Sequence, residues 1–263
     1  MTSAEHPGEW ALADLLREAA LEVEGRLPTA SNLTLRCRIE GTQLRCVYKP
    51  TSGERPLWDF PDGTLGRREV ATYTISRALG WDVIPLTVWR LDGPFGSGMC
   101  QLWLDDAVAE ALVDVVPSDQ IPPDWHQIFD GVDSLGRQVS LVHADRPDLQ
   151  RIALLDAVVN NTDRKGGHVL LDARGAAMGI DHGVTLAEEN KLRTVLWGWA
   201  GKEIPAPLQA DLRGLQQQLA ELALPDITFG EITAASSRLA TLLESGTFPM
   251  PSEDWPAIPW PIF

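Results

Sequence analysis

The sequence predicts an α+β protein of two lobes: a small N-terminal lobe built on an antiparallel sheet and one helix, and a larger, mostly helical C-terminal lobe. Three observations predict it. Runs of alternating apolar and polar residues fill much of the first hundred positions and surround a helical stretch at 67–79. Helical periodicity dominates after residue 147. Between the two lies a polar loop whose far side returns as two short strands, the second ending on a carboxylate. The division falls at residue 100, with 1–100 as the N-terminal lobe and 101–263 as the C-terminal lobe and its tail. A chain of 263 residues suits one such two-lobed domain.

Taken in order, residues 10–24 carry Leu12, Leu15, Leu16 and Ala19 as a helical stripe, and Gly25 is placed to end it. Leu35, Cys37 and Ile39, then Leu44, Cys46 and Tyr48, alternate on two strands joined at Glu40-Gly41-Thr42, which reads as a hairpin. The short polar turn Ala30-Ser31-Asn32 precedes it. Its second strand ends at Lys49-Pro50. There are four lysines among the 22 basic residues, so a lysine at the end of an apolar strand stands out. Lysine is a compact point charge suited to a phosphate. The segment alone also allows a solvated strand-end lysine.

Residues 51–66 read as a loop. Ala71, Ile75, Ala78 and Leu79 form the face of the next helix, stopped by Gly80 and carrying Glu69 in its first turn. Glu69 either favours the helix N-terminus electrostatically or pairs with Lys49. Strands at 83–89 and 99–104 complete the first lobe. Residues 105–116 and 125–133 read as helices, and 137–145 as a strand. Asp148 is placed to cap the helix running to Asn161. Asp156 falls inside that helix's apolar wheel, where it takes partners from the following loop or else faces solvent. Trp197 and Trp199 flank Gly198 in an ordered segment near the site. Helices follow at 206–223 and 229–245. The tail, rich in proline and tryptophan, reads as an extended strap on the larger lobe.

The formal charge of −15 disfavours nucleic acid and anionic membrane as partners. The N-terminus lacks the apolar run of a signal peptide, and no stretch is long and apolar enough to span a bilayer. Cys37, Cys46 and Cys100 are odd in number and widely spaced, as expected of reduced cytoplasmic thiols.

The core of the sequence is residues 154–183. Its loop holds Asn160, Asn161, Asp163, Arg164, Lys165 and His168, and Asp181-His182-Gly183 closes the second strand. Two carboxylates at neighbouring strand ends suit phosphoryl transfer, in which one orients the attacking hydroxyl and the other holds a metal. Together Val47-Tyr48-Lys49, Glu69, Asn161-Thr162-Asp163-Arg164 and Ile180-Asp181-His182-Gly183 resemble the phosphatidylinositol 3-/4-kinase-like (atypical kinase) superfamily. The pattern is similar to type II phosphatidylinositol 4-kinases and HipA-like kinases, and more narrowly to small actinobacterial kinase-related proteins.

That resemblance spans about residues 25–200 and implies a single protein-kinase-like domain. It implies that Lys49 contacts ATP phosphates and pairs with Glu69, and that Ser31 and Asn32 sit in the phosphate-covering loop. It implies that the backbone of Gln101, Leu102 and Trp103 faces adenine. Asp163 becomes the catalytic aspartate, with Arg164 ordering its loop. Asp181 becomes a ligand of Mg²⁺ or Mn²⁺. Two departures stand out: no glycine-rich loop is present, and His168 occupies the place of the family's second metal-binding asparagine. Imidazole suits Mn²⁺ better than Mg²⁺. Either the metal preference shifts, or His168 meets phosphate, or activity is low. The expected activity is transfer from ATP to a hydroxyl of a protein serine or threonine, its own included. A phosphatidylinositol or small-molecule acceptor is the alternative. A nucleotide-binding pseudokinase that holds a partner, and a metal-dependent hydrolase using His168, Asp181 and His182, are two further readings.

Overall fold

A computed structural model describes residues 7–28, 30–60, 64–104 and 111–263. The first lobe is a five-stranded sheet, antiparallel throughout, in the order β1-β2-β3-β5-β4. Its strands are β1 (Leu21–Arg26), β2 (Leu35–Ile39), β3 (Arg45–Pro50), β4 (Thr87–Arg90) and β5 (Gly98–Leu102). The β2–β3 hairpin pairs Cys37 with Cys46, as the alternation predicts, and all three cysteines are buried free thiols. Helix α1 (Pro7–Glu18) sets Ala13 and Leu16 on the face formed by Cys37, Cys46, Tyr48 and Cys100. Helix α2 (Leu65–Ala78) lies between this sheet and the second lobe, and Gly80, at φ +70°, ends it.

The sequence extends the first helix to residue 24, but the structure ends it at Glu18 and makes 21–26 a strand. Glu22 pairs there with Arg38, and Glu24 with Arg36 and Arg45, across the sheet. These cross-strand partners outweigh the local helical pattern. Glu69 lies beyond the first turn of α2, because the helix starts at Leu65.

The second lobe opens with a three-stranded sheet, β6-β8-β7, of β6 (Val113–Pro117), β7 (Trp125–Val132) and β8 (Gln138–Ala144). Two expected helices are therefore corrected. The 125–133 segment is a strand as far as Val132, and so is 113–116; residues 105–110 lie outside the described residues. β7 has no buried residue and is bulged between Gln127 and Phe129, which erases the alternation that marks a strand. Helix α3 (Pro147–Val159) is flanked by Arg146, not capped by Asp148. The Asp148 carboxylate instead accepts from Arg146 and from the amide of Ala177.

The hairpin β9 (Val169–Leu171) and β10 (Ala177–Gly179) follows, then α4 (Ala206–Gln218) and α5 (Phe229–Ser245), which pack with α3 around one large core. Thr228 and Glu231 form a capping box at the start of α5. The turn at Trp197–Trp199 packs on His143 and Phe248, away from the cleft between the lobes. The tail is a strap, as expected: Phe248 is buried, Ile258 and Ile262 rest on the core, and the Ala257 and Ile262 carbonyls accept from Thr194 and Gly166. This is the two-lobed α+β arrangement that the sequence predicts, with one additional small sheet in the second lobe. Among the described residues no helix is long and apolar enough to cross a membrane.

Candidate active site

Alternation along β3 turns Cys46 and Tyr48 into the core beneath α1 and leaves Lys49 on the opposite face, toward α2. There Lys49 Nζ donates to Glu69 Oε1 and to Asp181 Oδ1, each at 2.8 Å. The pairing reading of Glu69 is the one realised. Burial works against the Lys49 charge, but the two carboxylates outweigh it and raise the ammonium's pKa above its ordinary range. The pair is unequal. Lys49 holds Asp181 well below the usual carboxylate range, while burial pushes Glu69 up to about 7 in spite of Lys49. Glu69, on α2, is buried and Asp181 is half-exposed in the cleft, so Asp181 carries the firmer negative charge.

Asp181 follows β10 with φ +58°, a conformation that costs a non-glycine residue about 1–3 kcal/mol and that concentrates at functional sites. Its neighbours fix it there. Lys49 holds one oxygen, and His168 Nε2 lies 3.5 Å from the other. The Ile180 amide donates to the His168 carbonyl, and the Ile180 carbonyl accepts from Arg164 at 2.9 Å.

The loop bearing Asp163 hangs from the end of α3. Asn160 closes that helix in the left-handed region at φ 53°, with its side chain bonded to the carbonyls of Ala187 and Glu189 and to the Lys191 amide. Asn161 donates to Asp156 and accepts from the Asp163 amide. Asp156 is fully buried, and its partners do come from the loop: Arg164 meets it through Nε at 2.8 Å and a terminal nitrogen at 2.9 Å. Arg164, equally buried, also donates to the His168 and Ile180 carbonyls. It faces His182 Nε2 at 2.6 Å. Burial and Arg164 keep that imidazole neutral, so its Nε2 accepts. Arg164 is thus a positioning residue for the loop, not a group that touches substrate. With His182 buried behind it, the His168–Asp181–His182 ligand set of a hydrolase is not assembled.

Asp163 itself faces the cleft. Lys165 Nζ lies 3.2 Å from Asp163 Oδ2, and His168 Nδ1 is 3.0 Å from the Asp163 carbonyl. Burial raises the Asp163 pKa against the opposing pull of Lys165 and His168. The cleft between the lobes has a volume of about 410 Å³ and is lined by Ser31, Asn32, Lys49, Glu69, Asp163 and Asp181 among others. That size suits a small-molecule ligand. The Asn32 side chain accepts from the Arg55 amide, which ties the polar turn to the loop that follows β3.

Gln101, Leu102 and Trp103 do not reach this cleft. The Gln101 side chain donates to Thr87, and the Leu102 and Trp103 amides donate to the carbonyls of Leu86 and Arg45. The sheet uses the very donors that would face adenine.

Among the described residues no three His, Cys, Asp or Glu side chains form a ready metal cage. The donors present are the carboxylates of Asp181 and Asp163 and the His168 imidazole. Such a set fits a divalent cation that takes its remaining ligands from phosphate and water.

Several residues of the site carry no sequence motif. Glu54 accepts the Leu65 and Gly66 amides and so caps α2 from a distant loop. Lys165 is visible in the polar loop, though its pairing with Asp163 is not. Arg193 lines the cleft without any pattern to mark it, since most basic residues here are arginine.

No family model matches the chain. Protein Rv2133c of Mycobacterium tuberculosis is 45% identical over 266 residues, spanning 95% of this chain and 94% of that protein. A solved structure, the proinflammatory kinase CtkA of Helicobacter pylori, is similar with a TM-score of 0.48 at 10% identity, covering 89% of this chain and 94% of that one.

Proposed function

The chain belongs to the same family as Protein Rv2133c, and we propose that it is an ATP-dependent kinase whose acceptor is a protein serine or threonine, its own chain included. The observation that carries the reading is Lys49 Nζ bonded at once to Glu69 on α2 and Asp181 at the end of the β10 segment, on the cleft that Asp163 faces. Phosphoryl transfer needs a fixed cation for the phosphates, a carboxylate for the metal and a carboxylate for the attacking hydroxyl. The likeness of Val47-Tyr48-Lys49, Glu69, Asn161-Thr162-Asp163-Arg164 and Ile180-Asp181-His182-Gly183 to phosphatidylinositol 3-/4-kinase-like and HipA-like kinases points the same way.

In this reading Lys49 binds the α- and β-phosphates, and Ser31 and Asn32 cover them. Asp181, with His168 beside it, holds Mg²⁺ or Mn²⁺, which supplies charge neutralisation of the phosphates when bound. Asp163 orients the acceptor hydroxyl and takes its proton; its raised pKa makes it a better base than an ordinary carboxylate. The acceptor oxygen forms a bond to the γ-phosphorus as the bond to the β–γ bridging oxygen breaks, and ADP leaves with that electron pair. Lys165 lies where it can neutralise charge on the transferred group. The acidic chain, at −15, favours a protein acceptor over a lipid in an anionic membrane. Three buried free thiols fit a reducing compartment such as the cytoplasm.

The test is intact-mass analysis after incubation with γ-labelled ATP and Mg²⁺ or Mn²⁺, beside Asp163→Ala. A phosphate added to the wild type alone supports the reading. Full transfer by the variant removes Asp163 from its role. ATP raising the melting temperature with no transfer to protein, lipid or small alcohols would make the chain a nucleotide-binding pseudokinase.

A further inference from the structure

Arg193 lines the cleft, yet among the described residues its side chain has no hydrogen-bond or ion-pair partner, and its Nε is buried. A buried donor without an acceptor calls for an explanation. Its position relative to Asp163 is fixed. The Arg193 amide donates to the Asn161 carbonyl, and its carbonyl accepts from the Arg164 amide, both at 3.0 Å, so the backbone of Arg193 brackets Asp163.

The side on which it lies follows from one peptide group. The carbonyl of Asn161 accepts from Arg193, while the N–H of the same peptide, on Thr162, donates to Val184. In a trans peptide these two groups point in opposite directions. The segment bearing Asp181 and Val184 therefore runs along one edge of the loop, and the segment bearing Arg193 along the other. The tail joins the Arg193 edge: the Thr194 amide donates to Ala257, the Gly166 amide donates to Ile262, and the exposed Trp260 reaches the cleft.

Resting on the kinase reading, which gives the Asp181 edge to the nucleotide phosphates, we propose that Arg193 and Trp260 form the acceptor subsite, and that the acceptor is a serine or threonine peptide with an anionic group close to its hydroxyl. A guanidinium with free donors on a fixed backbone binds a carboxylate or phosphate in two-pronged fashion. Trp260 offers an apolar face for the peptide beside it. Acceptors whose flanking residues are neutral leave the Arg193 donors unpaired.

The test uses the full chain and serine peptides that differ only in a flanking Asp, phosphoserine, Ala or Lys. The wild type is expected to favour the anionic peptides by roughly 10- to 100-fold in kcat/KM, the size of a charge-assisted hydrogen-bond pair. The comparison of Asp with phosphoserine tells which anion is read. Arg193→Ala should bring kcat/KM for the anionic peptides down to that for the Ala peptide while the KM for ATP stays unchanged, and Arg193→Glu should shift preference to the Lys peptide. Melting curves verify that both variants fold, and the wild-type preference stands as an independent readout. Equal use of all peptides by the wild type, an unaltered preference in Arg193→Ala, or a raised KM for ATP in that variant overturns the assignment. Failure of the kinase reading looks different: ATP turnover would be absent, or the same in wild type and Asp163→Ala.

Discussion

Replacing Asp156 by alanine should cost more stability than any other single change in the scaffold of the Asp163 loop. Asp156 and Arg164 are both fully buried and meet through two short bonds, and a third bond joins Asp156 to Asn161. The substitution leaves a guanidinium buried with only carbonyls and a neutral imidazole around it. Breaking a buried pair on one side costs about 3–5 kcal/mol. Total stabilities run from about 5 to 15 kcal/mol, so this is a large share of what holds the fold. At about 2–4 °C per kcal/mol for a chain of this size, the melting temperature should fall by roughly 6–20 °C. Urea titration at constant m-value would measure the loss directly. The double variant Asp156→Ala/Arg164→Met removes the stranded charge, so it should lose less than the two singles together, with a coupling of about 1–3 kcal/mol. A loss below about 1 kcal/mol for Asp156→Ala, or strict additivity in the cycle, would refute the argument that this ion pair anchors the loop.

Lys49→Met should abolish any rise in melting temperature on adding ATP with Mg²⁺ or Mn²⁺, because Asp181 and Glu69 would face the phosphates with no cation between them; an unchanged shift on titrating nucleotide would count against the assignment. His143 is buried, and burial lowers its pKa to about 4 from 6.5. Its folded value lies below its unfolded one, so the unfolded chain binds the extra proton between those pH values. The stabilisation is present above about pH 6.5 and is lost as pH falls toward 4, by at most about 3 kcal/mol. Melting temperatures of wild type and His143→Asn across that range should converge at low pH, and parallel curves would exclude the effect. Gly166→Ala places a methyl against the ring of Phe263. The fold should persist while limited proteolysis removes the tail faster; an unchanged cleavage rate would show that Phe263 does not hold the strap.

What was legible in the sequence divides along a physical line. Lys49, Asp163 and Asp181 stand out because the proposed phosphoryl transfer tolerates few residue types at those positions, and because a strand end and a polar loop place them by local pattern. The β2–β3 hairpin is legible for the same local reason: one face is buried, so the alternation is clean. Where burial is one-sided but weak, the pattern fails. β7 has no buried residue and carries a bulge, and β1 is held as a strand by Glu22 and Glu24 pairing with arginines on β2 and β3, which a window centred on either glutamate does not contain. Gln101 to Trp103 are not among the residues lining the cleft, and the amides of Leu102 and Trp103 donate to the carbonyls of Leu86 and Arg45. Glu54 and Arg193 were invisible for a related reason. Glu54 satisfies two amides at the start of α2, a task that any acceptor at the right point in space performs. Arg193 is placed by backbone bonds to residues 161 and 164, which impose no requirement on its side chain. The free guanidinium of Arg193 is therefore not demanded by the fold, and a ligand for that side chain is the reason left for an arginine there.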